Sequence, residues 1–257
     1  MLKRRLIPKI LARPSGSSQI GYEACISQKY SNLKGIGSLK SQLRIFESNK
    51  ADELLVINVD KTKVGIGIEF VENIGRVIDF LSTPMMVGGG ITSVEDAKAL
   101  VNVGVDKVIC GISGTNHKLH SKIASTLGSQ ALTISIDYTL DLGQIVVGHY
   151  NPAVFTEKKF LELIKEIEAS GAGEIVLNRI DFDGMKLGLD IQTLKTVGSI
   201  THLPIVITSG AGKPEDFIYA FNNGADAVAT GTYFAKFDQN PLQLRSRLHT
   251  SGVSIRN

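Results

Sequence analysis

The chain alternates short, nearly continuous apolar runs with longer stretches in which apolar positions recur every three or four residues. The short runs are rich in Val, Ile and Leu, as a strand must be when both faces of its sheet are covered. They predict eight strands: Arg5–Leu11, Glu53–Val59, Pro84–Gly88, Asp106–Cys110, Leu132–Asp137, Glu174–Ile180, Pro204–Thr208 and Asp226–Thr230. The amphipathic stretches predict helices over Ser38–Glu47, Phe70–Phe80, Val94–Asn102, Glu157–Ala169 and Pro214–Asn222. Phe160, Leu163, Ile164 and Ile167 mark one buried helical face, and Pro214 stands where a first helical turn accepts it. The polar, glycine-containing stretch from Ala12 to Gly37 is expected to be a long loop after the first strand, and loops of that length are often functional.

The pattern repeats. Residues 87–111 match residues 207–231 without a gap, with Gly90/Gly210, Glu95/Glu215, Asp96/Asp216, Asn102/Asn222, Gly104/Gly224, Asp106/Asp226, Val108/Val228 and Gly111/Gly231 identical. Ala51-Asp52-Glu53 and Ala172-Gly173-Glu174 precede the second and sixth strands in nearly the same register. A repeat of this length is an architectural statement. Eight β-then-α units with right-handed crossovers close most simply as a (β/α)8 TIM barrel, here built from two half-barrels. The barrel is expected to take up the whole chain, residues 1–257, with an open doubly wound sheet as the alternative.

Composition narrows the picture little. The 257 residues, 43% of them hydrophobic, suffice for one large core, and barrels often have about 250 residues. A net charge of +3 is too mild to argue for nucleic acid but tolerates a phosphorylated ligand. Cys25 and Cys110 form no disulfide or zinc pattern, which fits a reducing cytoplasm. Pro8 and Lys9 interrupt the basic, apolar start too early for a signal peptide, and no run is long enough for a membrane span. His117 and His120 lack a third ligand and read as a solvated helix face, so no metal centre is expected.

Chemistry in such a barrel sits on the loops after the strands. Gly88-Gly89-Gly90 follows the third strand, and Ser209-Gly210-Ala211-Gly212 the seventh. Cys110-Gly111 and Thr230-Gly231-Thr232 follow the fourth and eighth. Glycine allows close backbone approach, and free N–H groups at the next helix start bind anions. Matched turns in two half-barrels suit an elongated ligand with a phosphate at each end; glycines that merely end strands are the alternative.

The runs VGGGI, GVDKV, SIDY, GAGEIVLNRIDFDG, SGAGK and GADAV, in this order, resemble the HisF family, the cyclase subunit of imidazole glycerol phosphate synthase, over essentially the whole chain. That resemblance implies a HisH-like glutaminase partner in a heterodimer, ammonia passing through the barrel, and cyclisation of a bisphosphorylated ribotide without metal or organic cofactor. It implies a catalytic role for Asp137, ligand binding at Gly89, Gly90, Gly111, Asp183, Gly184, Gly210, Gly231 and Thr232, and an ammonia gate made of Arg5, Glu53, Lys107 and Glu174. A bland reading of that quartet is a stabilising ion network.

The pattern also breaks. Leu11 stands where the family carries the carboxylate that pairs with Asp137. No lysine occurs between Ala12 and Gln28, Asn58 and Met185 replace an aspartate and a threonine, and Gly111-Ile112 replaces an Asn-Thr pair. These departures resemble divergent HisF paralogues associated with acetamidino modification of nucleotide-linked sugars for surface polysaccharide, which work with a glutaminase and a separate sugar amidotransferase. A genuine cyclase of histidine biosynthesis with its second acid elsewhere, for which Asp60 is a candidate, is the alternative.

Overall fold

The structure is a computed structural model that describes residues 4–15, 21–60, 65–112, 117–148, 152–236 and 239–256. In chain order its elements are β1 (Arg5–Pro14), β2 (Tyr22–Gln28), β3 (Ser31–Ser38), α1 (Leu39–Ser48), β4 (Leu54–Asn58), α2 (Ile68–Ile78), β5 (Met85–Gly88) and α3 (Val94–Asn102). There follow β6 (Lys107–Gly111), α4 (His117–Leu127), β7 (Leu132–Asp141), β8 (Gln144–Val147), β9 (Ala153–Phe155) and α5 (Glu157–Ala169). The last are β10 (Glu174–Arg179), α6 (Ile191–Gly198), β11 (Ile205–Thr208), α7 (Pro214–Asn222), β12 (Ala227–Thr230), α8 (Thr232–Lys236) and α9 (Pro241–Thr250).

The parallel order β10-β11-β12-β1-β4-β5-β6-β7 closes through a β7–β10 pairing, so the predicted (β/α)8 barrel is what the chain forms. Each predicted strand corresponds to one barrel strand. Outward-facing strand residues and inward-facing helix residues make one continuous core, from Leu6 and Leu54 to Phe160 and Phe217. The barrel interior has its own apolar layer of Ile7, Leu55, Met86, Ile109, Val176, Val206, Ala227 and Ala229.

The repeat is repeated in the backbone. Gly90 and Gly210 share φ near +98° and +99°, and Gly104 and Gly224 φ near +101° and +100°. Asp106 accepts from the Met85 N–H at 2.8 Å, and Asp226 from the Ile205 N–H at 2.9 Å. Most identities between the halves therefore serve strand ends and helix caps, where an unsatisfied backbone group would cost stability.

The stretch Ala12–Gly37 is not the expected loop. β1 runs on to Pro14 and pairs with β2, which pairs with β3, both antiparallel. The hairpin escapes the sequence because its two-residue connection is Lys29-Tyr30, both left-handed (φ 49° and 58°), rather than the usual Asn-Gly. A second antiparallel extension, β8–β9, follows β7, which continues four residues beyond the expected Asp137.

Candidate active site

Side-chain alternation along each strand sorts the barrel interior into layers. On β1 the inward positions are Arg5, Ile7, Lys9 and Leu11; on β7 they are Thr133, Ser135 and Asp137; on β10 they are Glu174, Val176 and Asn178.

At the N-terminal end Arg5, Glu53, Lys107 and Glu174 meet as a closed ring. Arg5 lies 2.5 Å from Glu53 and also pairs with Glu174; Lys107 lies 2.9 Å from Glu53 and 3.1 Å from Glu174. The two glutamates are almost fully buried and carry two charges against two. Burial works against the Arg5 guanidinium, but Glu174 and Glu53 outweigh it and raise its pKa. Such a ring holds because each buried charge has two partners; one lost partner leaves an uncompensated charge.

At the C-terminal end a cavity of about 470 Å³ opens among the strand ends. Asp137, Gly89, Gly90 and Gly111 line it, with Asn58, Asp60, Ile112 and Leu11. Leu11 is 8% exposed, so strand one presents an aliphatic wall across from Asp137. Gly184, Gly210, Gly231 and Thr232 stand outside the lining residues.

Several of the predicted glycines have a packing reason. A Cβ on Gly89 would lie 2.1 Å from the Asn58 carbonyl oxygen, one on Gly210 2.0 Å from that of Gly188, and one on Gly184 2.3 Å from that of Ser27. Gly111 has none: nothing lies within 4 Å of its added Cβ. Four N–H groups at the turns before α3 and α7 are also taken. Gly212 and Lys213 donate to the Asp216 carboxylate at 2.8 and 3.0 Å, and Thr92 and Ser93 donate to Asp96 at 2.9 and 3.0 Å. These four donors, just ahead of α3 and α7, are thus satisfied by the chain's own carboxylates, and an anion at either turn would have to use other N–H groups.

The polar centre of the mouth is organised by a residue the sequence did not single out. Asn178 donates through its amide nitrogen to Asp137 at 2.6 Å and to the Tyr30 hydroxyl. Its amide oxygen accepts from Ser209 at 2.6 Å and from Lys9 at 3.4 Å. Asp137 further accepts from Ser135 at 3.3 Å and is hydrogen-bonded to Tyr30. Burial, and then the negative charge of Asp137, push the Tyr30 phenol well above its usual range, so it stays protonated. Asp183 accepts from Ser27 and from Ser209 (3.4 Å), and lies 3.8 Å from Lys9.

Lys9 and Asn178 were legible by alternation, since both lie an even number of positions from a predicted inward residue. Tyr30 and Ser27 reach the mouth only on the unforeseen hairpin. The loop after β10 is fixed by Arg179, which bonds Asp181 and Asp190 and stacks on Phe182 at 3.7 Å.

Features outside the mouth are structural. Cys110 is buried on the outer side of β6, and burial pushes its thiol up to about 12, far from a nucleophile's range. His120 is buried against the core rather than solvated, and half-buried His117 lies 2.9 Å from Glu166, so the expected solvated face is a helix-packing contact instead. Among the described residues no group of three metal-ligating side chains occurs and no helix is long and apolar enough to cross a membrane.

The comparisons agree with this architecture. The family model described as "Histidine biosynthesis protein" matches residues 26–239. A Prochlorococcus marinus (strain MIT 9313) protein provisionally named imidazole glycerol phosphate synthase subunit hisF2 is 34% identical over 100% of this chain and 99% of its own length. A Campylobacter jejuni protein of the same provisional name is 33% identical over the same shares. The imidazole glycerol phosphate synthase subunit HisF of Thermotoga sp. (strain RQ2) is 34% identical over 88% of this chain and 90% of its own. A barrel of two matched halves, with a charged ring at one end and a polar mouth at the other, thus coincides with full-length similarity, and the chain belongs to the HisF family of histidine-biosynthesis proteins.

Proposed function

We propose that this chain is the ammonia-receiving subunit of a glutamine amidotransferase system in the cytoplasm. A HisH-like glutaminase docks on its N-terminal face as a heterodimer, and the ring of Arg5, Glu53, Lys107 and Glu174 gates the entrance. Ammonia moves through the interior past Thr133, Ser135 and Thr208 to an acceptor in the mouth. The phosphate of that acceptor is held by the backbone at Gly210, Gly231 and Thr232, and neither metal nor cofactor takes part. The acceptor proposed is a nucleotide-linked sugar that receives an acetamidino group, with a separate sugar amidotransferase as third partner. This finer assignment rests on the resemblance to divergent paralogues; the hisF2 names of two relatives speak to the paralogy alone.

The observation that carries the reading is Leu11 in the wall of the mouth. Leucine cannot move a proton, and loss of one well-placed acid or base costs about 10²–10⁴-fold. A second reading, the cyclase subunit of imidazole glycerol phosphate synthase itself, is favoured by the three groups that hold Asp137 in place. In that reading Asp60, on the same cavity wall, is the candidate second acid.

A cyclase assay with the bisphosphorylated ribotide and excess ammonium at alkaline pH separates the two, because free ammonia removes the need for a glutaminase. Folded protein without turnover, and some turnover on Leu11→Asp, is the expected result. A wild-type rate within about tenfold of a HisF cyclase assayed alongside, abolished by Asp137→Asn, refutes it.

A further inference from the structure

The inward ladder of β1 puts a cation in the wall of the mouth. Lys9 is 9% exposed and is the one lysine or arginine among the described residues lining the cavity. Its ammonium has three donors, yet its polar contacts are long: 3.4 Å to the Asn178 oxygen and 3.8 Å to Asp183. Both acceptors have nearer donors. Ser209 reaches the same Asn178 oxygen at 2.6 Å, and Ser27 bonds the other oxygen of Asp183. A buried ammonium is costly unless it is closely paired. Lys9 thus has donor capacity to spare beside a cavity large enough for a ligand.

The nearest carboxylates already have donors other than Lys9. Asp137 is engaged by Asn178, Ser135 and Tyr30. Leu11, the next inward residue of the same strand, brings no negative charge to repel one. The Tyr30 ring stands 5.9 Å from the Lys9 nitrogen, and the burial of Lys9 strengthens any charge pairing made there. Tyr30 is held there by a turn whose two central residues are both left-handed and neither glycine. Such backbone costs on the order of 1 kcal/mol or more per residue, and it persists where the surrounding structure over-determines it, often at ligand clamps.

We propose that Lys9 binds an oxyanion, a carboxylate or a phosphate, carried by the ligand at the centre of the mouth and separate from the glycine turns. The ligand class is therefore an acidic small molecule whose anionic group lies against Lys9. This rests on the reading of the mouth as the ligand site, and it adds the charge of what enters.

The test titrates inorganic phosphate and D-glucuronate, separately and at millimolar concentration, into wild type, Lys9→Met, Lys9→Arg and Thr232→Ala by calorimetry. The expected result is that one or both anions bind wild type, that Lys9→Met weakens a site by about tenfold or more, and that Lys9→Arg largely retains it. Loss with glucuronate alone marks a carboxylate site; loss with phosphate alone marks a phosphate site. Phosphate binding that is lost in Thr232→Ala but unchanged in Lys9→Met supports the glycine-turn site while overturning the role of Lys9. Wild type that binds neither anion overturns it as well. Cyanate carbamylation of wild type, followed by peptide mass spectrometry, gives a readout free of any folding defect in Lys9→Met. Anion present must slow labelling of Lys9 selectively, and equal labelling with and without it refutes the proposal.

Discussion

His120 offers a sharp test of the packing on which the barrel rests. It sits in α4 at 3% exposure, with the ring of His117 edge-on at 6.4 Å between centroids. Burial, and then the neighbouring His117, pull its pKa from 6.5 down to about 4. The unfolded chain therefore takes up a proton first as pH falls. Stability from neutral His120 is complete above about pH 6.5 and is lost progressively down to about pH 4. With those two values the loss is about 2 kcal/mol at pH 5 and about 3 kcal/mol at pH 4. His120→Leu removes the effect. The buried Nδ1 of His120 has no hydrogen-bond partner, so the substitution orphans none there. The neighbouring contact of His117 with Glu166 is present in both proteins. Urea unfolding between pH 7 and pH 4.5 is the assay. The stability of His120→Leu relative to wild type should rise by about 2 kcal/mol as pH falls from 7 to 5. Parallel pH profiles would refute the reasoning, because they would mean that His120 is solvated or already paired in the folded state.

Two further expectations concern the mouth. Asn178→Leu keeps roughly the volume but removes the donors to Asp137 and Tyr30 and the acceptor for Ser209 and Lys9, so a stability loss of about 2–4 kcal/mol is expected by thermal unfolding, and an unchanged melting temperature would show that the hub is incidental. Glycine substitutions should split by site: Gly210→Ala meets a carbonyl at 2.0 Å from a left-handed backbone and should cost about 2 kcal/mol or more, whereas Gly111→Ala, with open space around it, should stay within about 1 kcal/mol of wild type in urea.

Much of the fold was legible because its signals are local and periodic. All eight barrel strands appear as apolar runs, and α3, α5 and α7 begin and end where the amphipathic pattern and its capping residues place them. The repeat announced two half-barrels, and the shared glycines and aspartates fulfil matching backbone roles in both. The four residues of the charged ring were singled out by the family resemblance; Arg5, Glu53, Lys107 and Glu174 stand near strand starts, and the closed barrel brings strand starts together.

What the sequence could not decide is what faces what across the mouth. The glycine turns read as anion cradles, but long-range packing against Asn58, Gly188 and Ser27 gives several of them a second reason, and four N–H groups just ahead of α3 and α7 are bonded to Asp96 and Asp216. The hairpin that carries Tyr30 lacks the usual turn residues, so no local signal marked it. Asn178 and Lys9 gain their meaning only when β1, β7, β10 and that hairpin converge, because a hydrogen bond between residues 169 positions apart leaves no periodic trace in the chain. Periodicity fixes which side of a strand is buried; only closure of the barrel decides which buried polar groups become neighbours.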